Sequence, residues 1–174
     1  MKKRFILGVW SLILSMGAAY AEEQIPGAIK AKMDGYVGIW EFSEDSINSP
    51  GSDPVSISGE WSAKWVFDHL IEWRATFNSG DATVTTVEHE GYDRQNRGFS
   101  YWFTSAGSRG VLYDGVWDGN TASFEGKSFA PDGTPTRSRC KFAYNEDFTR
   151  VEYACETIAD GEWWTSRKGS AKKK

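Results

Sequence analysis

Polarity alternates residue by residue through almost all of this chain after Tyr36, and a period of two dictates strands rather than helices. About ten such runs follow one another: Tyr36 to Ser43, Val55 to Val66, His69 to Asn78, Ala82 to Glu90, Gly98 to Ser105, Gly110 to Trp117, Thr121 to Ser128, Thr136 to Tyr144, Arg150 to Ile158, and Glu162 to Lys168. Between them lie Gly80-Asp81, Asp93 to Asn96, Gly107-Ser108, Asp118-Gly119, Pro131-Asp132-Gly133 and Asp160-Gly161, which supply tightly turned or left-handed backbone. Strands joined in series by such short connections pair antiparallel with their sequence neighbours. A meander of this length leaves two unpaired edges, and closure removes both. The expected fold is therefore all-β, an antiparallel up-and-down barrel of about ten strands, with a two-sheet sandwich as the alternative. Ile25, Ile29, Met33 and Tyr36 recur at helical spacing and predict one short N-terminal helix ahead of the sheet.

One hairpin can be paired residue by residue. Ser138, Cys140, Phe142 and Tyr144 share a face, as do Val151, Tyr153 and Cys155. Folding the two runs about Asn145 to Thr149 sets Tyr144 against Val151, Phe142 against Tyr153, and Cys140 against Cys155, while Arg139 meets Glu156 on the other face. A single register satisfies the aromatic pair, the charge pair and the only two cysteines, so a Cys140–Cys155 disulfide is expected.

An oxidising destination is legible at the N-terminus. Lys2, Lys3 and Arg4 precede an apolar run from Phe5 to Ala18, and Ala19-Tyr20-Ala21 has the small-x-small spacing of a signal-peptidase site. Residues 1–21 are expected to be a signal peptide and 22–174 a single domain, periplasmic or secreted. The apolar run is short for a stable membrane span, and no stop-transfer pattern follows it. The whole chain carries 20 Lys+Arg against 24 Asp+Glu, and losing three cations with the leader makes it more acidic, which argues against nucleic acid as a partner. The terminal Lys172-Lys173-Lys174 reads as a solvated tail.

Gly38-Ile39-Trp40, at the start of the first run and behind a short helix, resembles the Gly-x-Trp signature of lipocalin-like barrels of the calycin superfamily. Gly91-Tyr92-Asp93 ahead of Phe99 to Ser105, then Asp114-Gly115-Val116-Trp117-Asp118, then Pro131-Asp132-Gly133 ahead of a basic strand, resemble more specifically a family of lipocalin-like bacterial proteins of unknown function, many of them secreted. The resemblance covers almost all of the chain after the leader. It implies a barrel with an internal cavity, and a Trp at the closed end, Trp40, covered by a cation from the last strand, either Arg167 or a terminal lysine. It implies no reaction.

Side-chain parity nominates the wall of that cavity. Trp65, Phe67, His69, Ile71, Trp73 and Phe77 share one parity, as do Phe99, Tyr101 and Phe103, and as do Val111, Tyr113 and Trp117. Trp65, His69, Trp73, His89, Tyr101, Phe103, Tyr113 and Trp117 are thus the candidate ligand contacts, around a small hydrophobic or lipid-like molecule. Nine Trp suit either a core filled by indoles or an aromatic cavity. No cofactor is expected; the alternative is haem on His69 or His89, because both fall on the apolar parity and related barrels hold haem through one His. No metal site is expected, since no third ligand lies at tight spacing.

Two other function classes remain as alternatives. Trp102 and Trp163, read as outward, could stack on sugar rings and make a carbohydrate-binding module. Glu88, His89, Glu90, Tyr92 and Asp93 cluster near a strand end, where acid/base chemistry at a barrel mouth could arise. No nucleophile elbow, His-Glu-x-x-His or phosphate-cradling loop supports an enzyme, and no catalytic residue is nominated.

Overall fold

A computed structural model describes residues 25–93, 97–129 and 132–174. Residues 1–24, where the signal peptide is expected, 94–96 of the Asp93 to Asn96 turn, and 130–131 lie outside the described residues. Helix α1 (Gly27–Tyr36) precedes ten strands: β1 (Gly38–Ser46), β2 (Val55–Phe67), β3 (Leu70–Ser79), β4 (Ala82–Asp93), β5 (Arg97–Thr104), β6 (Arg109–Asp118), β7 (Thr121–Phe129), β8 (Pro135–Tyr144), β9 (Arg150–Ala159) and β10 (Glu162–Lys173). They form one closed antiparallel barrel in chain order, β10 returning to β1.

Closure runs from Trp40 opposite Lys173 to Ser46 opposite Arg167. The terminal lysines are therefore not a tail. Lys172 and Lys173 lie within β10, and Lys174 Nζ reaches Glu60 at 2.8 Å and Glu41 at 3.2 Å. Pairing to β1 overrides the charge of the segment because β10 supplies the hydrogen bonds that remove both sheet edges.

The hairpin of β8 and β9 has the expected register, with Cys140 opposite Cys155, Phe142 opposite Tyr153 and Arg139 opposite Glu156. The Cys140–Cys155 disulfide joins the two strands across a sequence separation of 15 residues. A crosslink closing a loop of that length adds about 3 kcal/mol.

Helix α1 has no side-chain cap at its N-terminus, so burial rather than capping holds it. Ile25, Met33 and Tyr36 are buried with Ala63 and Ile71, and α1 plugs the barrel at that end. Tyr36, 0% exposed, stacks on Tyr144 at a ring distance of 5.0 Å and on Trp117 at 5.8 Å. Trp40 Nε1 donates to Tyr36 O at 2.8 Å, which ties β1 to the end of the helix. Lys173 Nζ donates to Gly35 O at 3.1 Å and stands 5.7 Å from the Trp40 ring.

Arg167 does not meet Trp40. It pairs with Ser46 at the other end of β1, so the strand register assigns the covering cation to Lys173. Gly38 is required here, because its φ of +140° is left-handed and a Cβ would lie 2.6 Å from Lys173 Cε. Among the described residues no helix is long and apolar enough to cross a membrane.

Candidate functional site

Directly opposed residues of paired strands share a face, so the inner wall can be followed around the barrel. On β3 the inward residues are Ile71, Trp73, Ala75 and Phe77, the last three lining the cavity. Ile71 is paired with Glu90, Trp73 with Glu88 and Ala75 with Thr86, which turns the even positions of β4 inward. Glu88 is paired with Trp102 and Glu90 with Ser100, so the even positions of β5 face inward as well. The apolar odd positions of both strands are left on the outer face, where His89 is paired with Tyr101 and Val87, itself buried, with Phe103.

A β-bulge then changes the parity of β6. The register shifts between Tyr113 and Val116, with Asp114 in a left-handed conformation at φ 51°. Leu112 faces in before the bulge and Trp117 after it, while Tyr113 and Val116 stay outside.

The cavity so formed has a volume of about 80 Å³. Trp61, Trp73, Phe77, Phe124, Phe142 and Tyr153 supply aromatic walls, and Phe42 stacks on Trp61 at 4.8 Å. Three carboxyl groups, Glu44, Glu88 and Glu90, and two arginines, Arg74 and Arg167, line the same space, and Arg74 directs its guanidinium to Glu72 at 3.5 Å.

Glu44 accepts a hydrogen bond from Tyr153 Oη at 2.7 Å, and Arg167 Nε lies 3.8 Å from its Oε2. Burial works against the charge of Arg167, but Glu44, Tyr153 and Glu88 outweigh it and hold the guanidinium more firmly protonated. Burial pushes the Tyr153 phenol well up, helped by Glu44.

Glu88 accepts from Ser100 Oγ at 2.6 Å. Its carboxyl is nonetheless pushed up by burial, against the opposing effects of Ser100, Arg167 and His89. Glu90 is pushed up to about 8, first by burial and then by the like charge of Glu88. Tyr36 and Trp73 lie close enough to favour the Glu90 carboxylate, yet Tyr36 Oη and Trp73 Nε1 are buried without a hydrogen-bond partner among the described residues. At neutral pH Glu90 is therefore an acid with an unmet demand for ionisation beside it.

Of the residues nominated from sequence, Trp73 lines this cavity. Trp65 and Trp117 sit under the helical plug instead: Trp65 Nε1 donates to Asp34 Oδ1 at 2.9 Å, and Trp117 packs on Tyr36 beneath Lys32. His69 is exposed in the β2–β3 turn, stacked on the equally exposed Phe67. His89 is on the outer face, its Nε2 3.6 Å from Glu72. Tyr101, Phe103 and Tyr113 are also outside, each at least 40% exposed. Neither imidazole reaches the cavity, so the haem alternative has no histidine there.

The supposed acid/base cluster divides likewise, with Glu88 and Glu90 inside, His89 outside, and Tyr92 packed toward the helix. Trp102 faces inward with Glu88, contrary to its outward reading, and Trp163 is covered by Arg139 at 4.4 Å and Arg137 at 5.5 Å. Those guanidinium groups occupy the indole surface that a sugar ring would need. No group of three or more His, Cys, Asp or Glu suited to a metal ion occurs among the described residues.

Sequence reasoning missed Glu44, Trp61, Tyr153 and Tyr36 as cavity residues and gave Arg167 a different place. The available signal was the shared parity of Thr86, Glu88 and Glu90, which alternation records but does not orient.

The crystal structure of Rv2717c from M. tuberculosis matches this barrel with a TM-score of 0.63 at 11% identity, covering 87% of this chain and 99% of that one. At that identity the likeness is one of fold. No curated protein sequence matches the chain. The family model for a protein of unknown function, DUF1579, matches residues 25–172, from two residues before the plug helix almost to the end of β10, and the chain belongs to that family.

Proposed function

We propose that this protein is an envelope or secreted binding protein for a small hydrophobic ligand held in the barrel cavity. The observation that carries the reading is the aromatic cavity itself, bounded by Trp61, Trp73, Phe77 and Tyr153 in a barrel plugged at one end by α1. One water occupies about 10–15 Å³ on such a measure, so about 80 Å³ favours a ligand of roughly five to eight non-hydrogen atoms over a long acyl chain. The disulfide and the leader-like N-terminus support an oxidising destination outside the cytoplasm. We read the barrel as lipocalin-like, on the strength of Gly38-Ile39-Trp40 at the plugged end and Lys173 over the Trp40 ring.

The test is uptake of toluene by the disulfide-intact protein, followed by indole quenching and thermal upshift. Saturable quenching is expected, weakened by Ala75→Phe, which fills the cavity, and unaffected by Trp163→Ala on the outer face. Absence of saturable uptake, or equal effects of the two substitutions, would contradict the reading.

A further inference from the structure

The charges inside the barrel are unequally shared. Glu44 is engaged by Tyr153 and Arg167, whereas Glu88 and Glu90 occupy successive inward positions of one strand. The groups that act on Glu90 are Glu88 on its own strand, Tyr36 from α1, Trp73 from β3 and Tyr144 from β8; Arg167 from β10 and His89 act on Glu88. None of those acting on Glu90 is a cation. Beside it, the fully buried Tyr36 carries a hydroxyl without a partner among the described residues, and Trp73 an indole N–H in the same condition.

We infer that the cavity takes a small aromatic or apolar molecule bearing a protonated amine, held by Glu90 and Glu88 against the faces of Trp73 and Trp61. The inference rests on the binding reading above and names the ligand class.

The chemistry is a completed network. The ligand enters as an ammonium ion, and the Glu90 carboxylic acid releases its proton to solvent. The carboxylate then accepts hydrogen bonds from the ammonium, from the Tyr36 hydroxyl and from the Trp73 N–H, within the four acceptor positions that a carboxylate offers. Both orphaned donors are satisfied in the same step. The electron-rich faces of Trp73 and Trp61 attract the same cation. A neutral ligand would leave Glu90 protonated and the donors unmet, and an anionic one would oppose the ionisation of both Glu88 and Glu90.

Benzylamine, benzyl alcohol, toluene and benzoate, titrated calorimetrically into the disulfide-intact protein at pH 7, separate the possibilities. Benzylamine is expected to bind at least about tenfold tighter than benzyl alcohol, as a charge-assisted bond allows, and benzoate weakest of the four. Glu90→Gln should remove the benzylamine preference while toluene still binds, with its melting temperature confirming the fold. Titration in buffers of different ionisation enthalpy should show a proton released by the wild type and none by Glu90→Gln. Toluene binding with benzylamine no tighter than benzyl alcohol would overturn the amine assignment and leave the binding reading intact. Tightest binding by benzoate would make Arg167 the anchor and overturn it as well. Failure of all four to bind would overturn both readings.

Discussion

The wall built from β8, β9, β10, β1 and β2 and the wall built from β4 and β5 obey opposite rules. On the first, Phe142, Val151, Tyr153, Trp40 and Phe42 face in, while Arg139, Lys141, Glu152 and Lys172 face water. Its inward charges, Glu44 and Arg167, are opposite in sign and lie 3.8 Å apart. On the second, Glu88, Glu90 and Ser100 face in, while Val87, Tyr101 and Phe103 face out. A barrel selected for stability alone would place these aromatics inside and the carboxyl groups outside. The departure brings Thr86, Glu88, Glu90 and Ser100 to the cavity, which the regular wall lines with Phe42, Trp61, Phe142 and Tyr153.

The largest difference between the walls should appear on deleting one aromatic from each. Trp40→Ala is expected to destabilise by about 3–5 kcal/mol, as large aromatic truncations in cores do. It loses full burial, the bond to Tyr36 O and the contact with Lys173. Equilibrium denaturation measures it, and an unchanged midpoint would remove Trp40 from the core.

Next comes the covalent brace of the regular wall. Reducing Cys140–Cys155, or replacing both residues by Ser, should cost about 3 kcal/mol. The unreduced, denatured protein should take up no maleimide, and labelling would show that the bridge is missing.

The inverted wall makes its own contribution through pH. The Glu90 acid lies near 4.5 when unfolded and is raised to about 8 when folded, so between those values the native state binds the extra proton. Stability should therefore fall as pH rises from about 4.5 to 8, by up to about 1.4 kcal/mol per unit, and level off above. Glu88, raised in the same direction, adds to the slope. Glu90→Gln should flatten the curve and stabilise the protein at pH 8. Parallel curves for wild type and variant would mean that Glu90 is solvated.

Smaller effects should come from charges and exposed rings. Lys173→Met loses one hydrogen bond and one cation–π contact and should cost about 1 kcal/mol. Tyr101→Ala, 47% exposed on the outside of the inverted wall, should change stability by less than about 1 kcal/mol. A loss as large as that of Trp40→Ala would show that the outer aromatics belong to a core after all.

This contrast also explains what could be read in advance. Ten strands, their turns and the Cys140–Cys155 register were legible because period two and turn residues are local signals. Which face points inward was legible only where the apolar face is the inner one. At β4 and β5, Val87, His89, Tyr101 and Phe103 form the apolar parity, and the usual inference from it places them inside. Strand pairing to β3, a long-range fact, reverses both strands together. At β6 a single left-handed residue, Asp114, separates the parity of Tyr113 from that of Trp117, and no alternation count detects it. Lys173 belongs to a lysine run that composition alone assigns to solvent, and only the family resemblance offered a terminal lysine, beside Arg167, as the cation over Trp40.

The central claim, that β4 turns its carboxyl groups into an aromatic cavity, is tested most directly by the titration of Glu90 itself. Carbon-detected NMR of the side-chain carboxyl, assigned by its loss in Glu90→Gln, should give a midpoint near 8 in the folded protein. A midpoint near the ordinary 4.5 would place this carboxyl in water and contradict the inverted wall.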